Sequence, residues 1–176
     1  MVKTKRITVV GASGRMGQML CKAVEENQDL ELAGLIESTN HSLIGTAAKE
    51  TILGLKSHLD FSDGVEEALS VSDAVIDFTN PETSVKIANL AVKHKVVSVI
   101  GTTGFSQLQL KEIANSASKA TIIRAGNMSL GLNILTGLAK KVSEALDEDF
   151  DIEIIEMHHN KKVDAPSGTA LMLGEA

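Results

Sequence analysis

The chain has 176 residues, 43% of them hydrophobic and 2% aromatic, with a formal net charge of -6. That length supports one domain with a substantial core and part of a second. Charge is spread without a basic stripe and few rings could stack bases, which excludes nucleic-acid binding.

The basic start ending at Arg6 is followed by an apolar run that stops at Gly11. This is too short for a signal-peptide core or a membrane span, so no membrane contact is expected. The single Cys21 cannot form an internal disulfide, which fits a reducing cytoplasm. It reads as a small buried residue on the first helix.

Taken in order, apolar runs and 3.6-periodic stretches alternate from the beginning. Strands are predicted over residues 6–10, 30–36, 73–78, 96–100, 120–124 and 150–157. Helices are predicted over 15–27, 65–70, 81–93, 106–119 and 129–146. Short strands alternating with helices indicate βαβ units and a parallel sheet, and abundant Val, Ile, Leu and Ala suit its burial. Asn80-Pro81 joins a capping residue to proline at the first helical position, where the missing N–H costs little. Ser106-x-x-Gln109 is a capping box. Residues 39–63 are less regular and receive no assignment. Asp147-Glu-Asp149 reads as a solvated turn, and no metal site is expected.

A domain boundary is placed near 127–130. Residues 1–128 form the first domain, and residues 129–176 begin a second, α+β domain. One strand and one partial helix cannot bury a core of their own, so this second part reads as incomplete.

Between the first strand and first helix, Val9-Val-Gly-Ala-Ser-Gly-Arg-Met-Gly17 places glycines at 11, 14 and 17. A tight turn there aims backbone N–H groups and a helix N-terminus at a pyrophosphate. Ser13 stands where the common fingerprint has glycine, so the motif is a variant, and alone such a turn can be purely structural. Glu37 ends the second strand 20 residues after Gly17, where a carboxylate can accept from the ribose hydroxyls of an adenosine. It repels a 2′-phosphate, and Ser38 supplies no cation to offset this, so NADH is expected at least as readily as NADPH. The fold class is therefore α/β, a Rossmann-like doubly wound parallel sheet. Gly101-Thr-Thr-Gly104 and Ala125-Gly-Asn-Met128 follow the fourth and fifth predicted strands, at the carboxyl edge where ligands lie. Thr102, Thr103 and Asn127 offer polar groups to a nicotinamide carboxamide; the alternative for each loop is an ordinary turn.

The pattern resembles the 4-hydroxy-tetrahydrodipicolinate reductase (dihydrodipicolinate reductase) family. The match is carried by Gly11-Ala-Ser-Gly-Arg-Met-Gly17, Asp77-Phe-Thr-Asn-Pro81, Gly101-Thr-Thr-Gly-Phe105, Asn127-Met-Ser-Leu-Gly131 and residues 156–170. The resemblance implies NAD(P)H-dependent reduction of a cyclic dicarboxylate in the diaminopimelate–lysine pathway, and a homotetramer for a full-length chain. It implies His158 as proton donor and acceptor and Lys162 as second proton donor. His159, Gly168 and Thr169, with Ser167, would hold the substrate carboxylates. Gly11, Ala12, Ser13, Gly14, Arg15, Met16, Glu37, Gly101, Thr102, Thr103, Ala125, Gly126, Asn127 and Met128 would hold the cofactor. Ser38 and Asn80 depart from arginines that some members carry near the phosphate.

The loop Glu156-Met-His-His-Asn-Lys-Lys-Val-Asp-Ala-Pro-Ser-Gly-Thr169 suits that chemistry. Hydride addition to a conjugated carbon–nitrogen system leaves electron density to be protonated, and imidazole, ordinarily titrating near ~6.5, is matched to that task. Lys162 can attract a dianion and stabilise developing charge. Ser167 is a natural N-cap whose following amides can accept a carboxylate. A His-His pair can also ligate metal, but no matching set of further ligands accompanies it. Lys161 reads as a solvated neighbour, and His41, His58 and His94 as surface or helix residues. Two other readings remain: a cofactor-binding module without catalysis, and a different Rossmann dehydrogenase acting on an amino or keto acid.

Overall fold

The computed structural model describes residues 3–146, 149–158, 160 and 165–176. By its contacts the chain separates into two units, Met1–Arg124 and Ala125–Ala176.

The first unit is a six-stranded, all-parallel sheet. Its strands are β1 (Lys5–Val10), β2 (Leu30–Ile36), β3 (Phe61–Ser62), β4 (Ala74–Asp77), β5 (Val97–Ile100) and β6 (Ile122–Arg124), in spatial order β3-β2-β1-β4-β5-β6. The helices between them are α1 (Arg15–Glu26), α2 (Ala48–Thr51), α3 (Val65–Ser70), α4 (Pro81–His94) and α5 (Gln107–Ala117). This is a Rossmann-like doubly wound sheet, with its strand order reversing between β1 and β4.

Two-residue alternation sorts the strand side chains onto two cores. Ile7, Val9 and Leu35 pack with Cys21 and Val24 of α1 and with Ala48, Ile52 and Phe61. Val10, Ile36 and Val75 face the other way, onto Leu69 of α3 and Ile87 of α4. A third cluster joins Ala88 of α4, Ile100 and Ile113 of α5. Burial pushes the Cys21 thiol up to about 12, with the charges of Glu25 and Glu37 adding to the effect.

Helix boundaries follow local chemistry. Asn80 caps α4 by accepting from Thr83 N (3.0 Å), with Pro81 in the first turn. Ser106 and Gln109 form the expected capping box on α5. The irregular segment contributes α2 and β3, which the sequence left unassigned. β3 has two residues paired to Leu35 and Ile36, too few to leave a periodic signal.

The second unit contains α6 (Leu130–Ala145) and α7 (Gly168–Glu175). The strand predicted over 150–157 is not formed among the described residues. A strand needs a ladder partner for its backbone groups. None pairs with this run, and Phe150, Ile152, Ile155 and Met157 remain exposed. Among the described residues no helix is long and apolar enough to cross a membrane.

Candidate functional site

In the first unit the site grows from the end of β1. Gly11 turns at φ 70°, where a side chain would be strained, and a Cβ there would stand 2.7 Å from Thr79 Cγ2. The turn after β1 and the turn after β4 therefore touch at the reversal of strand order. Gly11 N and Ala12 N donate to Ile36 O (2.8 and 3.2 Å), fastening the turn to the end of β2. Gly14 N donates to Gly11 O (3.1 Å), and the first helical bond of α1 runs from Gln18 N to Gly14 O (2.9 Å). Gly14 caps α1 without any side-chain hydrogen bond. The N–H groups of Arg15, Met16 and Gly17 thus stand ahead of the helical ladder, where a helix N-terminus attracts anionic oxygen.

Glu37 reaches this turn. Its Oε1 accepts from Ser13 N at 2.7 Å, so the carboxylate both shapes the glycine turn and borders the adjoining cavity. That cavity has a volume of about 410 Å³, a size that takes small molecules. Gly11, Glu37 and Ser38 form one wall; Asn80, Thr83 and Lys86 of the α4 end form another. Sequence reasoning singled out Gly11, Glu37, Ser38 and Asn80 but missed Thr83 and Lys86. The signal was present: residues three and six positions past a helix N-cap fall on one helical face.

Gly101 follows β5 and lies against Phe78, whose Cε1 would be 2.1 Å from a Cβ at that position. Beneath these loops Asp77 is fully buried. Its Oδ1 accepts from Thr79 N (3.0 Å) and Thr79 Oγ1 (2.6 Å). Burial pushes the carboxyl above the ordinary aspartate range, against hydrogen bonding from Ser84 and Thr79 that holds it down. The Ser84 hydroxyl donates to Thr102 Oγ1 (2.9 Å), and Asp77 Oδ2 has no well-aligned partner. Thr102 is 4% exposed, so its side chain belongs to this buried network. Thr103 is half-buried.

In the second unit, Asn127 ties several pieces together. Its Nδ2 donates to Thr169 Oγ1 (3.2 Å), its Oδ1 accepts from Ser129 N (2.8 Å), and its carbonyl accepts from Asn133 Nδ2 (3.2 Å). Ser167 is 2% exposed and caps α7, its Oγ accepting from Ala170 N at 3.0 Å. Gly168 and Thr169 form the first turn that follows. Ser167 N donates to Glu156 Oε1 (2.9 Å), while Glu156 Oε2 stands 3.4 Å from His158 Nδ1. His158 and the Ser167 turn therefore share one carboxylate, which sequence reasoning did not single out. Its spacing was the available clue, because residues two apart in an extended run share a side.

His159 and Lys162, expected to bind a carboxylate and to donate a proton, lie outside the described residues. Among the described residues no group of three or more His, Cys, Asp or Glu could hold a metal ion.

Two family models cover nearly the whole chain: the N-terminal part of dihydrodipicolinate reductase over residues 5–128 and its C-terminal part over 131–176. The 4-hydroxy-tetrahydrodipicolinate reductase of Roseobacter denitrificans is 47% identical over 176 residues, which are 100% of this chain and 65% of that one. The same enzyme of Cereibacter sphaeroides is 51% identical over 170 residues, covering 97% of this chain and 63% of its own length. This chain thus spans just under two thirds of such relatives. A dipicolinate-bound dihydrodipicolinate reductase from Paenisporosarcina sp. TG-14 superposes with a TM-score of 0.75 at 27% identity. It aligns over 98% of this chain and 64% of that one.

Proposed function

This chain belongs to the dihydrodipicolinate reductase family, and on that premise we propose that it serves NAD(P)H-dependent reduction of 4-hydroxy-tetrahydrodipicolinate to tetrahydrodipicolinate. The observation that carries this reading is the shared carboxylate of the second unit. It sets an imidazole beside a serine-capped helix start, an arrangement that suits a proton source beside an anion-binding turn.

The first unit fits a dinucleotide. The glycine turn admits no Cβ at Gly11, the first amides of α1 precede the helical ladder, and Glu37 borders a cavity large enough for an adenosine. Gly11 to Met16 would hold the pyrophosphate and Glu37 the ribose. Gly101, Thr102 and Thr103, with Ala125 to Met128, would line the nicotinamide half. Because the Thr102 hydroxyl is engaged by Ser84, its backbone and the Thr103 side chain would do the polar work. When bound, the nicotinamide supplies the hydride.

The chain's own residues do the rest. Amides after Ser167, with Thr169 held by Asn127, receive a carboxylate of the substrate. His158 supplies the proton that balances hydride addition, assisted by Lys162, and His159 holds carboxylate oxygen. Glu37, followed by the uncharged Ser38, favours a free ribose hydroxyl, so NADH serves at least as well as NADPH. Lys86 is the cation on the cavity wall that could soften the exclusion of a 2′-phosphate. A cytoplasmic homotetramer is part of this reading.

The protein should oxidise reduced nicotinamide when aspartate semialdehyde, pyruvate and the preceding synthase are supplied. NADH should give a kcat/KM at least equal to that with NADPH. His158→Gln should lower kcat by about 10²-fold or more with little change in the KM for NADH. No substrate-dependent oxidation with either nucleotide would sink the reading.

A further inference from the structure

The carboxylate between His158 and Ser167 carries more than its place in the sequence suggests. Glu156 lies outside any helix or strand, two residues before His158 and eleven before Ser167. Its two oxygens face different tasks. Oε1 accepts from Ser167 N at 2.9 Å, and Oε2 stands 3.4 Å from His158 Nδ1. Ser167 in turn is 2% exposed and fixes the first turn of α7 through Ala170 N. The Glu156 and His158 side chains are only partly exposed, 28% and 38%, so water competes for them less than at an open surface.

We propose that Glu156 is the positioning residue of this site, holding the His158 ring with Nδ1 toward its carboxylate so that Nε2 is the atom that delivers the proton. This rests on the reading of His158 as proton donor given above. The physical argument concerns the two ring nitrogens. A carboxylate is acceptor-only, and Nδ1 stands within ion-pair distance of Oε2 without a well-aligned hydrogen bond, so the approach favours a hydrogen on the nitrogen that faces it. That favours the Nδ1–H tautomer of the neutral ring and leaves Nε2 as the atom that exchanges the proton. Rotation of the ring is opposed by the same contact.

The second oxygen adds a coupling. Ser167 N is held by Glu156 Oε1, so the turn that would receive the substrate carboxylate and the ring that would protonate it are referenced to one side chain. A shift of Glu156 moves both. Proximity effects on catalysis are steep enough that a displacement of about 1 Å can lower rate about 10²-fold. Among the described residues Glu156 is the charged group that faces the imidazole; Lys161, Lys162 and Asp164 lie outside them.

Glu156→Gln separates positioning from simple support. The amide oxygen can still accept from Ser167 N, so the α7 turn is kept. The amide nitrogen then faces His158 Nδ1 as a donor, which reverses the preferred tautomer. Nitrogen-15 spectra of the histidine side chains, taken well above neutral pH and assigned by loss of one set in His158→Gln, read the tautomer directly. The expected result is Nδ1–H in the unaltered protein and Nε2–H in Glu156→Gln. In the coupled assay the variant's kcat should fall about tenfold or more, with the KM for NADH within about twofold.

An Nε2–H ring in the unaltered protein overturns the proposal, and this measurement stands even if the variant fails to fold. So does a folded Glu156→Gln protein with unchanged kcat. The two readings fail separately. If His158→Gln keeps its kcat, the proton-donor assignment is wrong, while the tautomer spectra still decide whether Glu156 holds the ring.

Discussion

At the scale of single residues, Asp77 shows how a buried charge can be read through pH. It sits under the loops that would border the nicotinamide, with burial raising its carboxyl above the ordinary aspartate range. Below the unfolded value of ~3.9 both folded and unfolded forms are protonated, and the group contributes nothing. As pH rises past that value the unfolded chain ionises first, so the folded state loses stability until pH passes the raised folded value. Asp77→Asn removes that loss. Its stability relative to the unaltered protein should therefore climb as pH rises past about 4 and level off once pH has passed the raised folded value, measured as urea midpoints across pH. A difference that stays flat with pH would contradict the raised carboxyl. The carboxylates of Glu66 and Asp73, lowered by Lys93 and by Arg6, act in the opposite sense but cancel between the two proteins. Asp77 was quoted in the sequence as part of a motif, yet its role was not legible. Burial depends on β5, α4 and Thr102 converging from later in the chain, and no local pattern reports that. Glu37 was legible, because strand end and spacing are local facts. Its bond to Ser13 N was not.

At the scale of elements, the turn between β1 and α1 is the most tightly specified piece of the fold. A Cβ on Gly17 would lie 2.0 Å from Gly11 O and 2.7 Å from Ala12 Cα, all backbone with little room to yield. Gly17→Ala must displace α1 from the turn it caps. It should cost about 1–3 kcal/mol or more in urea unfolding and weaken NADH binding measured by calorimetry. Retained stability and affinity together would mean that the helix need not sit so close. The parallel strands and long helices were readable because periodicity and capping residues are written locally: Asn80-Pro81 and Ser106–Gln109 mark their helices as expected. The predicted strands ran long by one or two residues at β4, β5 and β6, mostly at their starts, where Asp73 and Thr121 still exchange backbone bonds with a neighbouring strand. The run over 150–157 shows the limit of that method. Its apolar character is genuine, but a strand is a relation between two segments, and a pattern in one of them cannot establish the other.

At the scale of the whole molecule, the two units present different surfaces. The first buries its apolar residues in three clusters around the sheet. The second leaves Leu130, Ile134, Leu135, Leu138 and Val142 of α6 exposed, and none of its residues within α6 or α7 is buried. The described part of that unit is arranged more by its capping residues and the Glu156 carboxylate than by a packed core. The first unit can be followed by itself, because the chain's one sulfur nucleophile lies at its centre. Cys21 is fully buried between α1 and the sheet, and its thiol is pushed up to about 12. Thiolate, the species that attacks a disulfide reagent, is then scarce and shielded in the closed state. Labelling with a chromogenic disulfide should be negligible under native conditions. It should rise to one equivalent per chain along the same urea curve as the loss of helical ellipticity. Prompt stoichiometric labelling of native protein would contradict the burial. In the intermediate regime the reaction rate counts rare openings of the nucleotide-binding unit, and the protection a bound dinucleotide adds to that rate reports its affinity without any turnover.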